Sequence, residues 1–176
     1  MTLNITIGLA EQIGDIAKRA GEVIMKVYTS DFNVAAKGDK SPVTEADTKA
    51  ENLIFCEIRT KIGNDIPLVG EESVAAGKMP KIDDKPFWLI DPLDGTKEFI
   101  NKNGEFTVNI ALIENNTAVA GVVYVPVSGV SYLGGIGLGA WKQDMNRPDA
   151  VATSIKCRLM EQENGVSIVA SRRHRG

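Results

Sequence analysis

The chain has 176 residues, 43% of them hydrophobic, and a formal charge of −3. That length supports one domain with a real core, and that apolar share excludes disorder as the default state. The balance of charge excludes a basic field able to hold long nucleic acid, and a small phosphorylated substrate would need metal ions to offset the acidity locally.

Cys56 and Cys157 fit no metal or redox spacing and read as two reduced thiols. The N-terminus lacks the charged n-region and unbroken apolar stretch of a signal peptide. No run approaches the ~18 apolar residues of a membrane span. The expectation is a soluble cytoplasmic protein, and membrane association is not indicated by the sequence.

Residues 4–28 are expected to be helical, because Ile13, Ile16, Ala17, Ala20, Val23, Ile24 and Val27 recur at helical spacing. Gly8, Gly14 and Gly21 weaken the propensity, so packing must hold this helix. Residues 29–43 are polar and irregular, and Lys37 within them reads as part of a solvated surface loop. Thr44 with Asp47 three positions on is a capping-box spacing and opens a second helix over 44–62. Its apolar face is Ala46, Ala50, Leu53, Ile54, Ile58 and Ile62.

Gly63-Asn64-Asp65 breaks that helix. A short strand over 66–69 runs into Gly70-Glu71-Glu72-Ser73, where the paired acids could be no more than exposed charge. Residues 74–86 read as a surface connection. Phe106–Ile113 and Ala118–Val125 read as strands joined by a hairpin turn at 114–117. A further strand over 130–133 meets a glycine-rich turn at 134–139. No helical period follows Gly137-Leu138-Gly139, so a hairpin feeding another strand is expected there and not a nucleotide loop. Residues 143–165 read as loop plus a short edge strand, and 166–170 as a strand. That strand ends on Ser171-Arg172-Arg173-His174-Arg175-Gly176, whose arginines and histidine could hold a phosphate or could be solvated.

The chemistry concentrates in Trp88–Phe99, W-L-I-D-P-L-D-G-T-K-E-F. Three apolar residues end on Asp91 as a buried strand would. Pro92 and then Asp94-Gly95 turn the chain. Thr96–Ile100 can start a helix, which leaves the Gly95 and Thr96 N–H groups able to meet a phosphate. Asp91 and Asp94 therefore share one tight turn, with the Leu93 carbonyl between them. Hard cations such as Mg²⁺ take oxygen ligands at about 2.0–2.1 Å and keep water and phosphate as the rest. A shared carboxylate suits a site with two ions roughly 3.5–4 Å apart.

D-P-L-D-G-T resembles the signature of the inositol monophosphatase superfamily of Mg²⁺-dependent, lithium-sensitive phosphatases. The continuation Lys97-Glu98-Phe99 and Asn103-Gly104-Glu105-Phe106-Thr107-Val108-Asn109-Ile110-Ala111-Leu112-Ile113 is similar to its bacterial CysQ branch of 3′(2′),5′-bisphosphate nucleotidases. The likeness runs from about residue 5 to the end. Ser41–Asp47 matches the family's S-P-V-T-x-A-D pattern, and Gly70-Glu71-Glu72 its G-E-E motif.

The resemblance implies an α+β fold: two N-terminal helices on a mixed, mostly antiparallel sheet, the first part of a layered αβαβα body. It implies that Glu71, Asp91, the Leu93 carbonyl and Asp94 are metal ligands for two or three Mg²⁺ ions. The loop near residue 37 would help to bind the third. Glu71, Thr96 and Asp47 would activate water, with Asp47 pairing with the Thr96 hydroxyl. Substrate would meet Glu71, Leu93, Asp94, Gly95 and Thr96, with Arg172 and His174 close to it. The implied reaction removes the 3′-phosphate of adenosine 3′,5′-bisphosphate in sulfur metabolism. The alternatives are an inositol or other sugar-phosphate phosphatase, or a catalytically incomplete metal-binding fragment. The family also carries a later W-D-x-A motif whose Asp completes the second metal site, and this sequence has no Trp-Asp pair. Residues 1–176 are thus expected to be a single N-terminal domain, apparently truncated, with an uncovered sheet face or edge prone to self-association.

Overall fold

The computed structural model describes residues 4–36, 38, 42–83, 85–147 and 149–158. The first helix, α1 (Ile7–Tyr28), starts at Thr6, whose hydroxyl accepts the Leu9 N–H at 3.1 Å. Ala10, Ile13, Ile16, Ala17, Ala20 and Ile24 are fully buried along one stripe. Gly21 has a packing reason for its poor propensity: a Cβ there would overlap the Tyr124 ring and stand 3.3 Å from Pro126. Burial against the sheet therefore holds the helix, as the glycines imply.

Residues 29–43, expected to be irregular, contain a small antiparallel hairpin of β1 (Val34–Ala36) and β2 (Pro42–Thr44). The second helix, α2 (Glu45–Lys61), begins on the capping box that the spacing predicts. Then come β3 (Leu68–Gly70), a five-residue helix α3 (Glu71–Ala75), β4 (Phe87–Asp94) and a second short helix α4 (Thr96–Ile100). Strands β5 (Thr107–Glu114), β6 (Thr117–Val125), β7 (Val130–Gly135), β8 (Gly139–Asp144) and β9 (Thr153–Ile155) complete the chain order. Among the described residues β3 to β9 form one sheet in sequence order. Only β3 and β4 run parallel; the other pairs in that sheet are antiparallel. The mixed, mostly antiparallel sheet under two N-terminal helices is the architecture expected.

Alternation decides which face meets the helices. Trp88 and Ile90 on β4, Val108, Ile110 and Leu112 on β5, Val122 and Tyr124 on β6 and Leu133 on β7 are buried in the same core as α1 and α2. Leu89, Val123 and Tyr132 point the other way and are 47%, 43% and 39% exposed. The turn between β5 and β6 puts Asn115 at φ 50° and Asn116 at φ 59°, the left-handed pair of a tight hairpin. The glycine-rich stretch at 134–139 joins β7 to β8 as a hairpin, with no helix after it. The expected strand at 166–170, and Arg172, His174 and their neighbours, lie outside the described residues, as do Lys37 and Ser41.

Candidate active site

The site begins with a strand pairing. Gly70 on β3 lies opposite Ile90 on the parallel neighbour β4. The next residues, Glu71 and Asp91, therefore follow this last parallel pair at the same end, Glu71 opening α3 while Asp91 stays paired to β5. The Glu71 charge is close enough to act on Asp91.

Beyond Asp91 the strand does not simply turn, as Pro92 suggests. It continues to Asp94 through a bulge: Asp91 pairs with Asn109 and Asp94 with Thr107, so β4 spends one more residue than β5 over that interval. Pro92 lacks an N–H and fits such an irregularity. The Leu93 N–H folds back on Asp91 Oδ1 at 3.2 Å. The Leu93 side chain is buried, which anchors the bulge in the core, and its backbone carbonyl accepts from the Thr96 hydroxyl at 3.2 Å. Asp94 is exposed, and its Oδ2 accepts from Asn109 Nδ2 at 3.3 Å.

Gly95 then caps α4 at φ 94°, in the left-handed region. A Cβ at this position would also lie 2.8 Å from the Glu105 carbonyl oxygen. The turn therefore requires glycine twice over. Phe99 of α4 is fully buried among Tyr28, Phe32 and Phe106, with ring centroids 4.9–5.3 Å away. This cluster seats the short helix and so fixes Thr96 at its start.

The Thr96 hydroxyl stands 3.2 Å from both Asp47 Oδ1 and the Leu93 carbonyl oxygen. Asp47 is 1% exposed and divides its oxygens. Oδ2 accepts the Thr44 N–H at 2.8 Å and the Thr44 hydroxyl at 2.7 Å, while Oδ1 faces Thr96. The capping role and the pairing with Thr96 thus coexist in one carboxylate. Burial pushes the Asp47 carboxyl above its ordinary pKa, and the donors from Thr44 and Thr96 hold it back.

Asp91 shows the strongest electrostatic strain. Burial, then the charges of Glu71 and Asp94, then the hydrogen bond with Glu71 push its carboxyl up to about 7. Glu71 after β3 and Asp91, Asp94 and the Leu93 carbonyl at the end of β4 are oxygen donors of the kind hard divalent cations take. Burial is the first cause of the raised Asp91, and the neighbouring charges of Glu71 and Asp94 add to it. Among the described residues no three acidic, His or Cys side chains are already assembled as a finished ligand cage. The donor types fit Mg²⁺.

Two residues at this site escaped the sequence reading. Asn109 holds Asp94 from the neighbouring strand. Glu51, one turn beyond Asp47, is 4% exposed and accepts the Glu72 N–H at 2.8 Å and the Ser73 N–H at 2.9 Å. An acid inside the buried stripe Ala46, Asp47, Ala50, Glu51, Ile54, Ile58 was the available signal.

Residues 9–175 match the model of the inositol monophosphatase family. The 3′(2′),5′-bisphosphate nucleotidase CysQ of Escherichia coli (strain K12) is 44% identical over 138 residues, covering 77% of this chain and 55% of that protein. The CysQ of Salmonella typhimurium (strain LT2) is 47% identical over the same shares. Among solved structures, CysQ from Bacteroides thetaiotaomicron, a bacterial member of the inositol monophosphatase family, superposes with a TM-score of 0.62 at 37% identity over 83% of this chain and 53% of that one. The extragenic suppressor protein suhB from Bartonella henselae gives a TM-score of 0.68 at 30% identity over 78% and 52%. The chain spans about half the length of the curated relatives it matches. With the acidic strand ends, the bulge and the left-handed glycine in place, the match over 9–175 leads to one conclusion: this chain belongs to the inositol monophosphatase family.

Proposed function

We propose that this chain carries the metal-binding and water-activating part of a Mg²⁺-dependent phosphomonoesterase acting on the 3′-phosphate of adenosine 3′,5′-bisphosphate. The observation that supports the reading is the parallel pairing of Gly70 with Ile90, which brings Glu71 and Asp91 to the same end of β3 and β4, with Asp91 pushed up to about 7 by burial and by the charges of Glu71 and Asp94. Glu71, Asp91, Asp94 and the Leu93 carbonyl would hold the ions. Bound Mg²⁺ supplies a lowered pKa for water and a counter-charge for phosphate.

The remaining work belongs to the chain's own groups. Thr96, held through its hydroxyl by Asp47, orients the attacking water together with Glu71. The first N–H groups at Gly95 and Thr96 have no partner inside α4 and face the phosphoryl oxygens. Catalysis in this reading is positioning plus electrostatics. Glu71, Leu93, Asp94, Gly95 and Thr96 thus line the phosphate side of the site.

The substrate assignment is supported by relatives whose names read 3′(2′),5′-bisphosphate nucleotidase at 44–47% identity. The test is phosphate release from adenosine 3′,5′-bisphosphate against inositol monophosphate, with and without Mg²⁺. Equal or faster turnover of the inositol ester rejects the nucleotidase assignment. A second reading is a metal-binding unit that does not complete the reaction. It predicts Mg²⁺ binding without phosphate release.

A further inference from the structure

Glu71 is flanked by two constraints. On one side β3 fixes Gly70 against Ile90. On the other, the residues that follow, Glu72 and Ser73, are tied down by a side chain from another helix. Glu51 Oε2 accepts the Glu72 N–H at 2.8 Å, and Oε1 accepts the Ser73 N–H at 2.9 Å and the Ser73 hydroxyl at 2.5 Å. Burying a carboxylate is costly unless donors surround it, and all three of these donors come from the first turn of α3. Gly70 makes the approach possible, since a Cβ there would overlap the Glu51 carboxylate and lie 2.8 Å from Phe55.

We infer that Glu51 is a positioning residue for the metal site. It clamps the backbone immediately after Glu71, so that the Glu71 carboxylate is delivered to Asp91. Partners that orient a ligand from outside the coordination shell typically change metal affinity by about 10–100-fold when removed. Glu51 acts in this way through the main chain, without touching the ion. The inference rests on the reading of Glu71 as a metal ligand.

The test is calorimetric titration of the 176-residue chain with Mg²⁺ alone, beside thermal melts of the metal-free protein. Glu51→Gln keeps the size of the side chain, but its amide nitrogen cannot accept a hydrogen bond. At least one loop donor is then opposed by another donor. The expected result is Mg²⁺ binding weakened by at least about tenfold with a cooperative melt retained. A lower melting temperature with unchanged Mg²⁺ affinity overturns the role, because a purely structural anchor would give that pattern. Failure of the unaltered chain to bind Mg²⁺ overturns the reading of Glu71 and this inference with it. Binding by the unaltered chain that Glu51→Gln matches overturns this inference alone. If Glu51→Gln does not fold, Ser73→Ala carries the test, since it deletes only the hydroxyl donor. Weakening by about two- to fivefold supports the clamp, and affinity equal to that of the unaltered chain overturns it.

Discussion

Asp47 and Glu51 stand one turn apart on the buried face of α2, and each reaches a different loop of the site. Asp47 meets Thr96 at the start of α4, and Glu51 meets Glu72 and Ser73 at the start of α3. Thr96→Val removes the first link while keeping volume and branching. It leaves Asp47 Oδ1 without that donor in a buried setting, an expected loss of about 1–2 kcal/mol in urea unfolding. Thr96→Ser keeps the hydroxyl and should recover most of it.

The raised pKa of Asp91 sets a pH dependence for the metal-free protein. Its ordinary value is near 3.8, and in the fold it is about 7. Below the lower value both folded and unfolded chains hold the proton. Between the two, the folded chain retains a proton that the unfolded chain has released. Stability from this group is therefore full below about pH 4 and is lost as the pH rises towards 7. Melts in EDTA should show this slope, and Asp91→Asn should flatten it.

In the proposed function magnesium competes with that proton at Asp91, so the sign reverses for binding. Apparent Mg²⁺ affinity should fall as the pH drops below about 7, the value for Asp91, and binding should release protons. Calorimetry in buffers of different ionisation enthalpy measures the release. Asp91→Asn should weaken Mg²⁺ binding by well over about tenfold, because it removes a charged ligand rather than a group that orients one.

Gly21→Ala raises helix propensity by about 1 kcal/mol and should nonetheless destabilise the fold. The new methyl would enter the space of the Tyr124 ring. Overpacking of this kind costs about 1–3 kcal/mol, and with the Cβ overlapping the Tyr124 ring the net change is a loss of up to about 2 kcal/mol. Gly21→Ala with Tyr124→Leu should recover stability beyond the sum of the two single changes. Urea unfolding of the four chains gives the coupling.

The face of the sheet away from α1 and α2 leaves Leu89, Val123 and Tyr132 between 39% and 47% exposed. Concentration-dependent self-association is expected through this face. Sedimentation velocity should detect it, and Leu89→Lys with Val123→Lys should shift the chain towards monomer.

What was legible in the residues was what neighbours in sequence decide. The D-P-L-D-G-T run contains its own strand end, turn and helix start, so its carboxylates and its left-handed glycine could be read in place. The capping box at Thr44 and Asp47 was legible for the same reason. Contacts between distant segments were not. Glu51 and Glu72 are 21 positions apart, and only the assembled fold shows that one caps the other's helix. Helix α3 was hidden because Glu71, Glu72 and Ser73 look like exposed charge until that buried acceptor is known. The β1–β2 hairpin was hidden because alanine and proline are poor strand formers and pairing alone makes the strands. The bulge at Asp91 to Asp94 was read as a simple turn, since Pro92 signals both.

Helix α2 thus works as a common mount. Because Asp47 and Glu51 are fixed to the same rigid rod, any slide of that rod over the sheet displaces both loop starts along one vector. The distance between the Glu71 loop and the Thr96 loop is then insensitive to such motion, while their joint placement over β4 is not. Breathing of the two loops should be correlated, and it should be damped by whatever tightens α2 against Trp88 and Ile90.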